Sequence, residues 1–516
     1  MSGILLGLGQ LAQPMALLAL LGGVVIGLIV GSLPGLNDSI TMAVLIPITF
    51  GMEPCVAICL LIGIYCASAC GGSVPSILLK IPGTASATVT AYDGYPMSQK
   101  GKSGEALGLA ISSSTFGGIS SAIVLLFLSP FLARQALKFG PPEYFMLAIL
   151  GMSTVIGMAG KNVVKNILAM AVGLLFSCIG MSPQTGLARF TFGQVSLMDG
   201  ISLIPMLIGL FGITSILEMI ESIKGKTDAR QFVEDVKENY QKVKVTLPDR
   251  AMAKRLLPIW IQSSVIGNVI GIIPGAGMIM AIFMAYDQAS RRCPNLEFGT
   301  GVPEGVAAPE SANNAVVASS MVPLLSLGVP GNSTSSLFLG ALTIQGLRTG
   351  PTLFRDTPEM AYMIILGFLL ANIIMLPLSV YYCNVLATAV LRLNRKILSG
   401  IVLVLCVTGA FAVSNNIFNV AVMVFFGFVG YSFNKYKIPQ SPLILASILG
   451  SMMENNWTQS MKFADGSLSV FVTRPLSCGL LILSIIFIGL QLWKQWKAKQ
   501  DCPFRQSCLQ DIHSVL

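Results

Sequence analysis

An all-α polytopic membrane protein, with about twelve membrane helices in two related, inverted repeats, is the fold class this sequence predicts. Of its 516 residues, 54% are hydrophobic and only 11% charged, whereas a soluble domain carries about 25% charged residues. Mean hydropathy is +0.77. The chain holds 52 glycines, which suit closely packed membrane helices. Two distant stretches also repeat one phrase: "VPSILLKIPGTASA" (Val74 to Ala87) and "VPLLSLGVPGNST" (Val322 to Thr334) stand 248 positions apart.

Taken in order, apolar stretches near 15–33, 54–70, 117–137, 142–160, 162–181, 200–222, 256–273, 360–391, 397–413, 417–433 and 477–496 approach the ~20 residues a membrane crossing needs. Shorter apolar pieces at 39–50, 74–82, 276–289, 312–328 and 333–346 abut Pro-Gly or Gly-rich sequence, and 441–453 is a further candidate. They read as half-helices or re-entrant hairpins. Thr90 to Leu107 reads as a polar loop, with Asp93-Gly94 as its turn signal. Lys224 to Arg255 holds nine Lys/Arg and five Asp/Glu and reads as a cytoplasmic linker. It separates a first membrane repeat (1–223) from a second repeat with additional C-terminal helices (256–496). Residues 497–516 form a polar tail. The first charged residue is Asp38, so no cleavable leader with a basic n-region is expected.

Composition also excludes. The net charge of +9 is scattered over loops, which fits cytoplasmic-loop enrichment and not nucleic-acid binding. The single histidine is His513, which removes histidine acid–base chemistry and most metal sites. Cys55, Cys59, Cys66 and Cys70 share one helical face and read as small packing residues, since one helix cannot converge four thiolates tetrahedrally. Gly101-Lys102-Ser103 ends like a phosphate-binding loop, but Pro96 stands where the leading glycine belongs. No catalytic residues and no cofactor are expected, and energy must come from an ion gradient or another subunit.

The chemistry concentrates at breaks. Gly27, Gly31, Pro34 and Gly35 match Gly267, Gly271, Pro274 and Gly275 at an offset of 240. Each half therefore carries two Pro-Gly breaks. In hydrocarbon a backbone break leaves N–H and C=O groups unpaired, and it is tolerated where they face a ligand or a polar cavity. Paired interruptions in two halves point to a transporter's binding site. Half-helix N-termini carry partial positive charge and suit a carboxylate. Unwound carbonyls suit Na+. The candidate substrate-binding residues are Pro34, Gly35, Pro82, Gly83, Thr84, Ser86, Pro274, Gly275, Gly331, Asn332, Ser333 and Thr334. The candidate cation-coupling residues are Asp38, Glu310, Asn313 and Asn314, because ionisable groups at membrane depth are functional by default. Alternative roles are open: Asp38 as N-cap of a helix from 39, and Glu310 as a cap of a helix N-terminus. Lys80 reads either as a partner for an anion or as a snorkelling side chain. "MMENNWTQS" (Met452 to Ser460) has no assigned role.

Four long stretches, "GSLPGLNDSITMAVLIPITFGMEP", "GGSVPSILLKIPGTASATVTAYDGYPMSQKGKSGEALG", "GIIPGAGMIMAIFMAY" and "EGVAAPESANNAVVASSMVPLLSLGVPGNSTSSLFLGALTIQGLRTGPTLF", resemble the large membrane subunit of the tripartite tricarboxylate transporter family, the TctA permeases. The resemblance spans about residues 20 to 355. It implies a bacterial inner-membrane permease of about twelve helices, driven by a cation gradient of Na+ or H+. It also implies two partners, a small four-helix membrane subunit and a periplasmic solute-binding protein, and carboxylate substrates with citrate as the type. A dimer and an elevator-like movement are further expectations, by analogy with other two-repeat transporters. The chain departs from the family pattern at Asn37-Asp38, at Lys80, where Asn is usual, and at Gln345, near a frequent His.

Overall fold

The computed structural model describes residues 2–33, 36–157, 163–182, 184–224, 244–275, 277–387 and 395–500. Among them strand is confined to Gly180–Met181 (β1), paired antiparallel with Ala188–Arg189 (β2). The first half holds α1 (Ser2–Leu11), α2 (Pro14–Gly31), α3 (Asp38–Leu45), α4 (Pro54–Gly71), α5 (Ser73–Leu79), α6 (Thr90–Gln99), α7 (Ser103–Ala136), α8 (Pro141–Gly157) and α9 (Val163–Ser177). After the hairpin come α10 (Leu203–Leu207), a π-helical segment at Ile208–Ile213, and α11 (Thr214–Lys224). The second half holds α12 (Arg250–Ile272), α13 (Gly277–Arg292), α14 (Pro303–Ser319), α15 (Met321–Leu327), α16 (Ser333–Ile344), α17 (Pro351–Asp356) and α18 (Pro358–Val385). It closes with α19 (Arg395–Ala412), α20 (Ile417–Lys435), α21 (Ser441–Phe463), α22 (Val470–Thr473) and α23 (Pro475–Gln500). Among the described residues, seven helical stretches are long and apolar enough to cross a membrane.

The two halves repeat in three dimensions. Shifting α5 by 248 residues gives the bounds of α15, and α4 lands on α14 within a residue. The packing repeats too. α2 lies against α4, and α12 lies against α14. A Cβ added at Gly27 would stand 2.6 Å from the Ile64 carbonyl oxygen, and one added at Gly267 would stand 2.5 Å from that of Ala312. Ile64 and Ala312 are themselves 248 apart. Glycine is needed at both places because backbone meets backbone there. α14 also packs on α7, and α18 packs on α4 and α7, so one core joins both halves. Tyr65, Phe338 and Phe368 are among its largest fully buried side chains.

Four local readings are corrected. Thr90 to Leu107 is not a loop: Thr90–Gln99 is helical and α7 begins at Ser103. The Asp93 side chain is fully buried, and its Oδ1 accepts the amides of Gly299, Gly301 and Val302 at 2.9, 2.8 and 2.9 Å. Its Oδ2 accepts the Tyr286 hydroxyl at 2.8 Å. These tertiary bonds outweigh a turn preference set only by sequence neighbours. Secondly, α7 begins 14 residues before the expected span at 117. Its early serines bond within the protein, Ser113 Oγ donating to the Leu109 carbonyl at 2.7 Å. Thirdly, α21 continues from Ser441 to Phe463 and so contains "MMENNWTQS". Fourthly, α14 starts at Pro303, well before the apolar piece expected at 312. Residues 225–243 of the linker and 501–516 of the tail lie outside the described residues.

Candidate functional site

Each second break begins with a left-handed residue. α5 is closed by Lys80 (φ 57°) and α15 by Gly328 (φ 76°), at matching positions of the repeat. A left-handed residue satisfies the last carbonyls of a helix. Ile81 N donates to the Pro75 carbonyl at 3.4 Å, and Val329 N donates to that of Pro323 at 3.3 Å. Lys80 is exposed, and its Nζ lies 5.7 Å from the centre of the Tyr95 ring.

Both Pro-Gly corners then press onto backbone. A Cβ on Gly83 would lie 2.5 Å from the Gly31 carbonyl oxygen, and one on Gly331 would lie 2.7 Å from that of Ser320 and 2.9 Å from that of Gly271. Gly31 and Gly271 are counterparts in the repeat. Gly83 N donates to the Gly72 carbonyl at 3.1 Å. Gly275 N donates to the Gly331 carbonyl at 2.6 Å, which joins the Pro274-Gly275 and Pro330-Gly331 breaks directly. Pro34 and Gly35 lie outside the described residues; Leu33 and Leu36 on either side are buried.

Beyond the breaks, asparagine caps the helices. Asn37 Oδ1 accepts the Ile40 amide at 2.8 Å and caps α3. This overturns Asp38 as the N-cap, because Asp38 is already the first helical residue. Asn332 caps α16 through a capping box: its Oδ1 accepts the Ser335 amide at 2.8 Å, and Ser335 Oγ accepts the Asn332 amide at 2.8 Å. The two N-termini meet across the repeat, with Ser39 Oγ 3.0 Å from Thr334 Oγ1. Fully buried Tyr65 braces them: its hydroxyl lies 3.1 Å from Ser320 Oγ and accepts from Asn332 Nδ2 at 3.0 Å. Asp38 is 6% exposed, and its Oδ1 has no hydrogen-bond partner. The cluster thus combines two helix N-termini, several hydroxyls and one carboxylate. The first two attract an anion and the last a cation.

The fourth break differs. After Pro82-Gly83 the chain makes only a 3-10 turn at Ala85–Ala87, where Thr84 Oγ1 and Ser86 Oγ lie 3.0 Å apart. This turn rests on α13 and α14. The breaks therefore supply α-helical N-termini at α3, α13 and α16, and not at all four places. Ser333 Oγ lies 2.5 Å from Ser441 Oγ at the start of α21.

Glu310 is fully buried more than a turn inside α14, so the reading as a terminal cap is overturned. Thr90 Oγ1 donates to Oε1 at 2.6 Å and Ser114 Oγ to Oε2 at 2.7 Å. Asn313 Nδ2 donates to the Ala69 carbonyl at 3.1 Å. Asn313 Oδ1 and both polar atoms of the Asn314 side chain are buried without a partner. Glu310 is held among α14, α6 and α7, whereas Asp38 starts α3. Among the described residues no group of three or more His, Cys, Asp or Glu converges as a metal site.

Sequence reasoning did not single out Ser39, Tyr65, Thr90, Ser114 or Ser320. One usable signal was the 248-residue offset, which sets Tyr65 level with Asn313 and Gly72 level with Ser320.

The profile of the tripartite tricarboxylate transporter TctA family matches residues 17–445. The chain belongs to that family. Its members are transporter components, not a family of enzymes, and this TctA chain is a multi-pass membrane protein. The match runs well beyond the motifs, which end near residue 355. An uncharacterised 52.8 kDa protein from the TAR-I ttuC' 3' region of Agrobacterium vitis is 33% identical over 504 residues, covering 98% of both chains. An uncharacterised protein from the TAR-II ttuC' 3' region of the same organism is 31% identical over 239 residues, covering 46% of this chain and 98% of that one. No solved structure matches this TctA chain.

Proposed function

We propose that this chain is the large permease subunit of a binding-protein-dependent secondary transporter in the bacterial inner membrane. It imports a dicarboxylate or tricarboxylate such as citrate, with Na+ or H+ as coupling ion and no other cofactor. Its partners are a small four-helix membrane subunit and a periplasmic solute-binding protein. The observation that carries this reading is the meeting of α3 and α16 at Ser39 and Thr334, 3.0 Å apart, beside the unpartnered oxygen of Asp38. Helix N-termini with hydroxyls beside them take carboxylate oxygens. Asp38, and separately Glu310 with Asn313 and Asn314, serve the cation or the polar network around it. The two repeats are inverted in the membrane, and an elevator-like displacement carries the site across.

The test is counterflow in proteoliposomes holding all three components. A permease exchanges labelled for unlabelled citrate against no gradient, and imposed Na+ or proton gradients then drive accumulation. Equilibration of label without exchange identifies a passive channel. No citrate movement at all, with the binding protein saturated, identifies a scaffold subunit.

A further inference from the structure

Helix α14 begins without a cap of its own. Its N-cap position is Val302, whose side chain offers no acceptor, yet the first amides of a helix need partners. The acceptor comes from the other half of the chain. Asp93 Oδ1, on α6, takes the amides of Gly299, Gly301 and Val302. Gly299 (φ 90°) and Gly301 (φ 102°) hold a positive-φ backbone, which glycine adopts without strain and which brings these amides to one oxygen. Gly305 completes the fit, since a Cβ there would lie 2.0 Å from Asp93 Oδ2. That second oxygen accepts the Tyr286 hydroxyl, so the same carboxylate also holds α13. Lys100 Nζ, just past the end of α6, donates to the Thr300 carbonyl at 2.7 Å. Thr90 stands one turn before Asp93 and shares its face of α6. Both side chains are fully buried. Thr90 Oγ1 donates to Glu310, about two turns along α14 from Val302. α6 thus grips α14 twice, with a carboxylate at its N-terminus and a hydroxyl at Glu310.

We propose that Asp93 is a positioning residue for the cation machinery: by capping α14 from the opposite repeat, it sets α6 at the place along α14 where Thr90 bonds Glu310. Asp93 touches neither ion nor substrate and acts through Thr90. A carboxylate suits the task, because three amides and a helix N-terminus favour negative charge. The service of Glu310 to the coupling ion rests on the permease reading above; the hold of Asp93 on the Thr90–Glu310 bond does not.

Labelling of Glu310 by dicyclohexylcarbodiimide, an apolar reagent for buried carboxyl groups, tests this in the full chain in nanodiscs, read by mass spectrometry. Asp93→Asn keeps the shape and removes the charge. It is expected to speed labelling of Glu310 about tenfold, the size of one lost hydrogen bond to a charged group. Tyr286→Phe, a milder change that removes one donor to the same carboxylate, is expected to speed it about threefold. Glu143, likewise buried but paired with Arg474, should label at an unchanged rate. In a Thr90→Val background, Asp93→Asn should add nothing to the acceleration already present. In proteoliposomes holding all three components, the Asp93→Asn chain should need about tenfold more driving cation for half-maximal citrate uptake, with KM for citrate unchanged. Unchanged labelling of Glu310 in both variants overturns the proposal. So does acceleration of Glu310 and Glu143 together, which marks general loosening, and so does acceleration that adds to that of Thr90→Val. A raised KM for citrate with an unchanged cation requirement overturns it too. Absence of uptake by the unsubstituted chain, with the labelling pattern as expected, defeats the permease reading and leaves the hold of Asp93 on Glu310 standing.

Discussion

The amide of Gly275 donates to the carbonyl oxygen of Gly331 at 2.6 Å. This one bond ties the two breaks of the second half into a single corner. In the first half Gly83 presses on Gly31 and Gly72, as Gly331 presses on their counterparts Gly271 and Ser320. Gly331→Ala forces a methyl to within 2.7 Å of the Ser320 carbonyl oxygen. Overpacking of this kind costs about 1–3 kcal/mol. The expected result is a lower melting temperature in detergent together with loss of uptake, and an unchanged melt contradicts the packing described.

Thr334→Ala and Ser39→Ala should each weaken uptake while membrane insertion stays intact. Because the two hydroxyls face each other at 3.0 Å, their effects should be non-additive in a double-mutant cycle. Strict additivity separates them. Normal transport by a Ser333→Ala/Thr334→Ala protein removes these hydroxyls from the site.

Asn332→Ala removes the capping box of α16 and the bond to Tyr65, at about 1 kcal/mol or more for the cap alone. Tyr65→Phe keeps the ring and loses only the hydroxyl. If Tyr65 positions Asn332, its phenylalanine variant should raise KM for citrate more than it lowers kcat, measured by initial uptake rates. Equal changes in both point to a general packing role instead.

Lys80 holds a left-handed conformation where its repeat counterpart is Gly328. A non-glycine residue there costs about 1–2 kcal/mol. Lys80→Gly should therefore raise thermal stability. If uptake falls at the same time, the charge is retained for function at the expense of backbone comfort. If uptake is unaffected, the ammonium is dispensable.

Glu310→Gln preserves the shape that Thr90 and Ser114 bond and removes the charge. The expected outcome is altered cation or pH dependence of counterflow, measured with Na+ and proton gradients imposed separately. An unaltered dependence leaves Glu310 as a structural bridge among α14, α6 and α7.

Much of this architecture was readable before any coordinates. Hydropathy marks helices such as α2, α4 and α18, because their apolar faces reach lipid or core along their whole length. The paired Pro-Gly phrases mark the corners, because only glycine lets two backbones touch there. What escaped depends on contacts remote in sequence. Asp93-Gly94 looks like a turn until the amides near Gly301 supply a buried carboxylate with partners. Ser39 and Tyr65 look like incidental polar residues until folding places them against Thr334 and Asn332, 295 and 267 positions away. Asn37 and Asn332, not the neighbouring Asp38 or Ser333, take the capping role, which local spacing leaves open.

The glycine contacts between α2 and α4, and between α12 and α14, carry a mechanical consequence. With Cβ positions less than 3 Å from opposing carbonyl oxygens at Gly27 and Gly267, neither pair can slide, because the next register brings a side chain where only hydrogen fits. In the proposed elevator movement each pair travels as one stiff strut. Any displacement that carries a solute across the membrane must be absorbed at looser seams, with the two struts acting as its levers.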